Sequence, residues 1–326
     1  MGRAQQPHHL IGPAMGNSTE TTHHRICPLC EACCGLEIKV RDQKVIGIRG
    51  HQADVFSAGY ICPKGVALKD LHEDPDRVRT PLIKRNGVFE QATWDEAWAE
   101  IGRRLPPILQ THGRNAAGLV IGNPAAHKIG LLTYMPRLAK ALGTHNLFTA
   151  ATLDQIPRHV CSGLLFGHWM SVPVPDIARC ELLVVLGAKP VVSNGSIWTV
   201  PDFRGKAKAM QARGGKLVVN DPRRTETAAI ADAHHFIRPG GDAFLLLGMV
   251  HTLFDENLVR LGRMAEHVSG VQEIAQVVAG FSAESVAARC DMDAGTIREL
   301  ARALATNPVL SAPNGARLSR ALEGLE

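Results

Sequence analysis

Nowhere in its 326 residues does the chain carry a run of about eighteen apolar residues, so no segment reads as a membrane-spanning helix. It has no block of five or six like charges, which argues against a nucleic-acid-binding arm. The net charge of +5 is spread over dispersed arginines, and a bound anionic cofactor would account for it equally well. The first 24 residues hold neither an apolar run nor paired arginines, so neither a secretory signal nor a twin-arginine leader is read there. The pairs His8–His9 and His23–His24 are too short for a tag, and residues 1–24 are expected to form a disordered extension. Internal repeats and low-complexity tracts are also missing.

Eight cysteines are too few for a disulfide scaffold at this length. Five of them fall within the first 62 residues, the pattern of a metal site in a reducing, cytoplasmic compartment. The 45% hydrophobic content supports a sizeable core and about two domains.

What is present centres on Cys27-Pro-Leu-Cys30-Glu-Ala-Cys33-Cys34 and Ile61-Cys62-Pro63-Lys64-Gly65. Taken as Cys27, Cys30, Cys34 and Cys62, the spacing is CxxCxxxC followed by a distant CP. Four thiolates on two loops can enclose a cubane iron–sulfur cluster. A structural zinc knuckle is the alternative, though zinc sites more often show two CxxC pairs or a late histidine pair. Cys33 is the spare and reads as a small packed residue.

Periodicity then orders the chain. Leu36, Ile38 and Val40, a turn at 41–44, then Ile46 and Ile48 predict a hairpin over 36–49. A short helix follows Cys62 and ends near Asp70, and the prolines of 74–81 mark a boundary. A second hairpin is expected at Leu82–Phe89. Thr93 and Glu96 form a capping box opening a helix to about residue 105. Beyond it strands alternate with helices: buried strands at 117–122, 180–187 and 215–221; helices at about 197–213, 242–255 and 293–305; and a strand stub at 308–311. That alternation predicts an α/β domain, doubly wound around a mainly parallel sheet. The last segment, 312–326, has no evident packing role, and the chain reads as truncated there.

Ligands of open parallel sheets bind beyond the carboxyl ends of the strands. Three loops are candidates: Gly187 to Pro190 with Ser193 and Asn194; Asn220 to Thr225; and Arg238 to Asp242, whose helix N-terminus can hold a phosphate. Asp221 can accept hydrogen bonds from a sugar or a guanine edge, and Arg223 can clamp a phosphate. Any one loop is an ordinary turn; together they point to a nucleotide-like ligand.

From Cys27 to about Val309 the chain resembles the amino-terminal half of the molybdopterin oxidoreductase family, the bis-molybdopterin guanine dinucleotide (bis-MGD) enzymes related to formate dehydrogenase and nitrate reductase. The resemblance rests on the cysteine motif, Cys62-Pro-Lys-Gly, Trp94-Asp-Glu-Ala, Gly187-x-x-Pro190, Asp221-Pro-Arg-Arg-Thr-Glu-Thr-Ala228 with Ala231-Asp232, and Pro239-Gly-x-Asp242. It implies a small, mostly β [4Fe–4S] domain at 25–80, the α/β domain at 81–311, and an irregular tail at 312–326. It implies that Cys27, Cys30, Cys34 and Cys62 hold the cluster and that Lys64 lies between cluster and pterin. Gly187, Lys189, Ser193, Asp221, Arg223, Gly240 and Asp242 fall where the family binds one guanylated pterin. Lys189 stands where the family often has Asn, and Cys33 where it usually has Gly.

In this family the metal takes a protein ligand a few residues after a Gly-Thr-x-Asn segment, here Gly143-Thr-His-Asn146. Asp154 falls at that position; alternatively it caps a helix over 155–166. Formate dehydrogenases have Cys or selenocysteine followed by His there, so Asp154-Gln155 counts against formate as substrate. The implied activity passes two electrons between a small substrate and an electron-transfer protein or redox subunit, without nucleic acid and without membrane insertion. A catalytically incomplete fragment and a zinc-bearing interaction protein are the competing expectations.

Overall fold

A computed structural model describes residues 19–306 and 310–311. The chain begins with a three-stranded antiparallel sheet of β1 (Glu20–Ile26), β2 (Gly35–Arg41) and β3 (Lys44–Gly50). The expected hairpin is β2–β3; its turn is built by Asp42 and Gln43, both in the left-handed region at φ 49° and 63°. The disordered extension expected over 1–24 is corrected here: residues 20–24 belong to β1, paired with β2 from Glu20 opposite Arg41 to Ile26 opposite Gly35. β1 is exposed along its whole length, so it shows no inward apolar alternation. Its place is set by backbone pairing and by Glu20, which bridges Lys39 and Arg41.

Two short helices, α1 (Pro63–Val66) and α2 (Leu68–Glu73), follow Cys62. The second hairpin, β4 (Leu82–Arg85) and β5 (Val88–Gln91), turns at Asn86-Gly87 with φ 50° and 86°. Helix α3 (Trp94–His112) opens on the capping box, with Thr93 Oγ1 accepting from the Glu96 amide. It does not stop at 105 but runs through Pro106 and Pro107. Each proline removes one helical donor, and since no residue of α3 is buried, water can serve the carbonyls left over. Next come β6 (Leu119–Ile121), α4 (Ile129–Leu142), β7 (Leu147–Thr149), α5 (Ala151–Asp154) and α6 (Ile156–Phe166). β6, expected as a buried strand, is instead only partly covered, with Val120 exposed, and pairs with β7 alone in a two-stranded parallel sheet.

The central sheet is formed by β8 (Leu182–Leu186), β9 (Lys216–Asn220), β10 (Ala233–His235) and β11 (Leu310–Ser311), all parallel, in the order β10-β9-β8-β11. Helices α7 (Pro190–Ser193) and α8 (Phe203–Ala212) lie between β8 and β9. The helix expected from 197 starts later, because Pro201 interrupts it and Asp202 caps Gly205. Helices α9 (Asp242–Asp255), α10 (Val271–Val278), α11 (Ala283–Cys290) and α12 (Ala294–Thr306) connect β10 to β11.

Alternate residues of β8 face opposite cores. Leu182 and Val184 pack with Leu245, Val286 and Ile297 of α9, α11 and α12. Leu183 and Val185 pack with Phe203, Ala207 and Met210 of α8. A strand buried on both faces must read as a continuous apolar run, as Leu-Leu-Val-Val-Leu does. The fold is therefore mixed: a small antiparallel sheet, then a doubly wound α/β region. Strand order reverses between β8 and β11, which puts the switch-point crevice beyond the carboxyl end of β8. The tail 312–326 lies outside the described residues.

Candidate functional site

The four cysteines read from spacing converge. Cys27 follows β1 and donates its amide to Cys34 O at 2.8 Å, closing the loop that carries Cys30; Cys62 sits one residue ahead of α1. Cys27, Cys30 and Cys34 share a small core with Ala32 and Leu36. Burial pushes the Cys27 and Cys34 thiols up, and each is pushed further by Cys30 and Cys62. The two buried thiols pushed up in this way give up their protons to a bound metal group, which removes the repulsion. An all-thiolate donor set suits a soft iron–sulfide body.

Cys33 stands apart. Its Sγ turns back to Cys30 O at 3.9 Å, and burial, then Cys30 and Glu31, push its thiol up. Its φ of 49° is in the left-handed region, a conformation that glycine adopts without strain.

The cysteine loop is clamped to the α/β region. Asn194, buried in the loop after α7, donates Nδ2 to Cys34 Sγ at 3.4 Å and to Tyr60 O at 3.4 Å. Thr199 Oγ1 donates to Ala32 O at 3.1 Å. His127 Nε2 lies 3.0 Å from Pro28 O, and Asn123 Nδ2 donates to Leu29 O at 3.4 Å. Glu31 accepts from Ser196 Oγ and from Asn123, and these bonds hold its carboxyl below the usual range against the opposing effect of burial. Of these side chains, Asn194 lies in one of the strand-end loops that the sequence marks as candidates. Glu31, Asn123, His127, Ser196 and Thr199 carried no signal, because only tertiary folding brings them to the cysteines.

A cavity of about 620 Å³ opens beside this clamp. Its walls include Glu31 from the cysteine loop, Asp154 and Arg158 from α5 and α6, and Ala188 and Ser193 from the segment after β8. Asp154 is exposed at the end of α5 and does not cap α6: the capping position is Gln155, with no side-chain bond. The cap role weighed for Asp154 is thus not the one it plays. His159, also at the cavity, is engaged by Trp169, whose carbonyl lies 2.9 Å from Nδ1.

The remaining expected residues, Lys64 apart, lie along the carboxyl edge of the sheet, outside the cavity lining. Gly187 follows β8 with φ 59° and Gly240 precedes α9 with φ 83°; nothing packs where a Cβ would project from either. Lys189 is exposed just ahead of α7. Asp221 is buried after β9, one carboxylate oxygen accepting from the Arg223 amide at 2.8 Å. The Arg223 side chain is exposed, and Asp242 is the first residue of α9. Lys64 is exposed in α1, two residues beyond Cys62. Asn220 ends β9 fully buried, yet neither its amide nitrogen nor its oxygen has a partner among the described residues. An unmet buried amide costs about 1–3 kcal/mol. The open glycines, the unmet amide and the parallel strand ends fit a polar, extended cofactor along this edge.

A four-thiol β domain fastened to the carboxyl edge of a doubly wound sheet defines a class: a redox chain with a thiolate-held metal group beside a nucleotide-type crevice. Comparison with known proteins places it within that class. Residues 20–73 match the molybdopterin oxidoreductase Fe4S4 domain and residues 77–283 match molybdopterin oxidoreductase. The chain belongs to the molybdopterin oxidoreductase family, and the two matches together support an iron–sulfur cluster and a molybdopterin as its cofactors. It is 28% identical to the thiosulfate reductase molybdopterin-containing subunit of Salmonella typhimurium, over 89% of this chain and 37% of that protein. It is 29% identical to formate dehydrogenase H of Escherichia coli, over 85% of this chain and 39% of that protein. The structure of acetylene hydratase from Pelobacter acetylenicus superposes with a TM-score of 0.72 at 26% identity, covering 89% of this chain and 40% of that one. The chain thus spans about two fifths of the length of these relatives. No helix among the described residues is long and apolar enough to cross a membrane.

Proposed function

We propose that this chain is the cluster-bearing, pterin-binding part of a molybdenum oxidoreductase. It would move two electrons between a small-molecule substrate and an external electron-transfer protein or redox subunit, through one [4Fe–4S] cluster, in a reducing cytoplasmic compartment. The observation that carries the reading is the Asn194 bridge. The side chain that bonds Cys34 belongs to the loop that leaves the carboxyl end of β8, so thiol cluster site and cofactor crevice share one rigid segment.

Cys27, Cys30, Cys34 and Cys62 would hold the cluster, and Asp154 would offer a carboxylate oxygen to the metal. When bound, the metal–pterin group supplies two-electron chemistry, and the protein supplies position and electrostatics. Gly187, Lys189, Ser193, Asp221, Arg223, Gly240 and Asp242 would seat the cofactor in its guanine dinucleotide form, with Arg223 opposite phosphate and Asp221 able to accept from a sugar or base. Lys64 would place its ammonium between cluster and pterin. Asp154 is a hard oxygen donor, which favours transfer of an oxygen atom over the thiolate-ligated chemistry of formate dehydrogenases. The relatives are named for thiosulfate, formate and nitrate, and the solved neighbour for acetylene.

The test is iron and acid-labile sulfide analysis, with the visible spectrum, on anaerobically purified full-length chain. About four irons and four sulfides per chain are expected, lost when Cys27, Cys30, Cys34 and Cys62 are all replaced by Ser. Zinc in their place, or iron retained by the quadruple variant, would refute the reading.

A further inference from the structure

Five thiols, Cys27, Cys30, Cys33, Cys34 and Cys62, stand in or beside a site that needs four. Cys33 is the one left over, and its relation to Cys30 is specific. Cys30-Glu31-Ala32-Cys33 is a CxxC segment. Its backbone is closed by a hydrogen bond from the Cys33 amide to Cys30 O at 3.2 Å. A four-residue turn closed in this way holds its first and last Cα within about 7 Å, the span that a disulfide bridges. Cys33 Sγ also turns back over the segment, 3.9 Å from Cys30 O.

The turn does not depend on a metal for its shape. Glu31 is held by Ser196 and Asn123, and Ala32 O accepts from Thr199. Just ahead of the turn, Leu29 O accepts from Asn123. The two residues between the thiols are thus fixed by side chains of the α/β region, so the pair stays together in the cluster-free chain. Access separates this pair from its neighbours. Cys30 and Cys33 are half-buried, whereas Cys27 and Cys34 are buried. Cys27, which also stands three residues from Cys30, is tied by its amide to Cys34 O at 2.8 Å. Cys62 comes from a separate segment, ahead of α1. A loop as short as 30–33 gains little from closure, so a disulfide across it stays reducible.

We propose that Cys30 and Cys33 form a reversible disulfide in the cluster-free chain, a lock that withholds one cluster ligand until a thiol reductant opens it. The oxidant is a small-molecule disulfide of the glutathione type. One thiolate of the pair attacks it, forming a mixed disulfide and releasing one thiol. The other thiolate then attacks the protein sulfur of that mixed disulfide and releases the second. The two protein thiols lose two electrons and two protons, and the oxidant becomes two thiols. The proposal goes beyond the oxidoreductase reading and rests on it only for the claim that Cys30 is a cluster ligand.

The test uses the full-length chain and its C33S variant, purified anaerobically. Iron and sulfide are measured first, and the cluster is then removed with a chelator under reductant. The cluster-free chain is equilibrated in glutathione buffers of rising disulfide content, and free thiols are alkylated. Cleavage after Glu31 puts Cys30 and Cys33 on separate peptides. Tandem mass spectrometry should find these two joined, with Cys27, Cys34 and Cys62 alkylated. The joined chain should fail to take up iron and sulfide, and dithiothreitol should restore uptake. C33S should keep its uptake after the same treatment. A disulfide through Cys27, Cys34 or Cys62 instead, no disulfide at any buffer composition, undiminished uptake by the joined chain, or equal loss of uptake in C33S would overturn the proposal. Circular dichroism checks that C33S is folded, and C33G, which suits the left-handed φ of 49°, takes its place if it is not. A Cys30–Cys33 disulfide in a chain that never held iron–sulfide would count against the cofactor reading alone. An intact cluster, with no such disulfide after its removal, would count against this inference alone.

Discussion

Asn194 Nδ2 donates to Cys34 Sγ at 3.4 Å across 160 positions of sequence. Asn194 holds a left-handed φ of 57° while buried, and a buried amide in that conformation implies that its contacts are worth the strain. Hydrogen bonds to cluster sulfurs stabilise the reduced, more negative state and so raise the potential. Replacing Asn194 by Leu should lower the cluster potential by some tens of millivolts, on the order of 1 kcal/mol of lost differential bonding. Redox titration followed by EPR measures it; an unchanged potential would mean the bond does not form once the cluster is bound.

Cys33 and its neighbours are chemically alike and should behave oppositely. Cys33→Gly removes a left-handed non-glycine residue, and iron content should stay the same if the cluster takes the other four cysteines. Stability should change by about 1 kcal/mol in the favourable direction, since relief of the left-handed conformation outweighs glycine's greater freedom when unfolded. Chemical denaturation read against iron content checks both halves.

Gly50 ends β3, and a Cβ added there would run into the backbone carbonyl of Gly59. Backbone cannot yield as a flexible side chain can, so G50A should separate the 51–62 segment from the sheet and draw Cys62 away from its three partners. Iron retention should fall to near background while far-UV circular dichroism of the α/β region persists.

His235, at the end of β10, has its pKa pushed down from about 6.5, first by burial and then by the neighbouring His234. The unfolded chain therefore accepts a proton at a pH where the folded chain declines it. Stability should be full above the ordinary histidine range and should fall as pH drops through about 6.5, with a slope of at most ~1.4 kcal/mol per pH unit from this group. Denaturant midpoints at several pH values would show it, and H235N should flatten that part of the profile.

Leu183 of β8 faces the α8 core and is fully buried. L183A should cost about 2–5 kcal/mol. The penalty should appear in the unfolding midpoint of the α/β region, with the iron content of the folded fraction unaltered.

Local pattern made much of this protein legible. The cysteine spacing, the β2–β3 hairpin, the capping box at Thr93 and the apolar runs of β8 and β9 each declare themselves within a few residues, because a turn, a cap or a strand buried on both faces imposes its chemistry on adjacent positions. β1 escaped because an exposed strand at a sheet edge needs no apolar alternation. α3 runs past the expected end at 105 because its two prolines are tolerated where water can serve the displaced carbonyls.

Sequence alone determined that the cysteines cluster at CxxCxxxC spacing and that strands alternate with helices, since both follow from short-range spacing. Only tertiary structure decided that Asn194 reaches Cys34, that Glu31 is clasped by Asn123 and Ser196, and that Glu31 and Asp154 line one cavity. Those relations join residues tens to more than a hundred positions apart, and a contact made by chain closure leaves no period, motif or charge pattern from which it can be read.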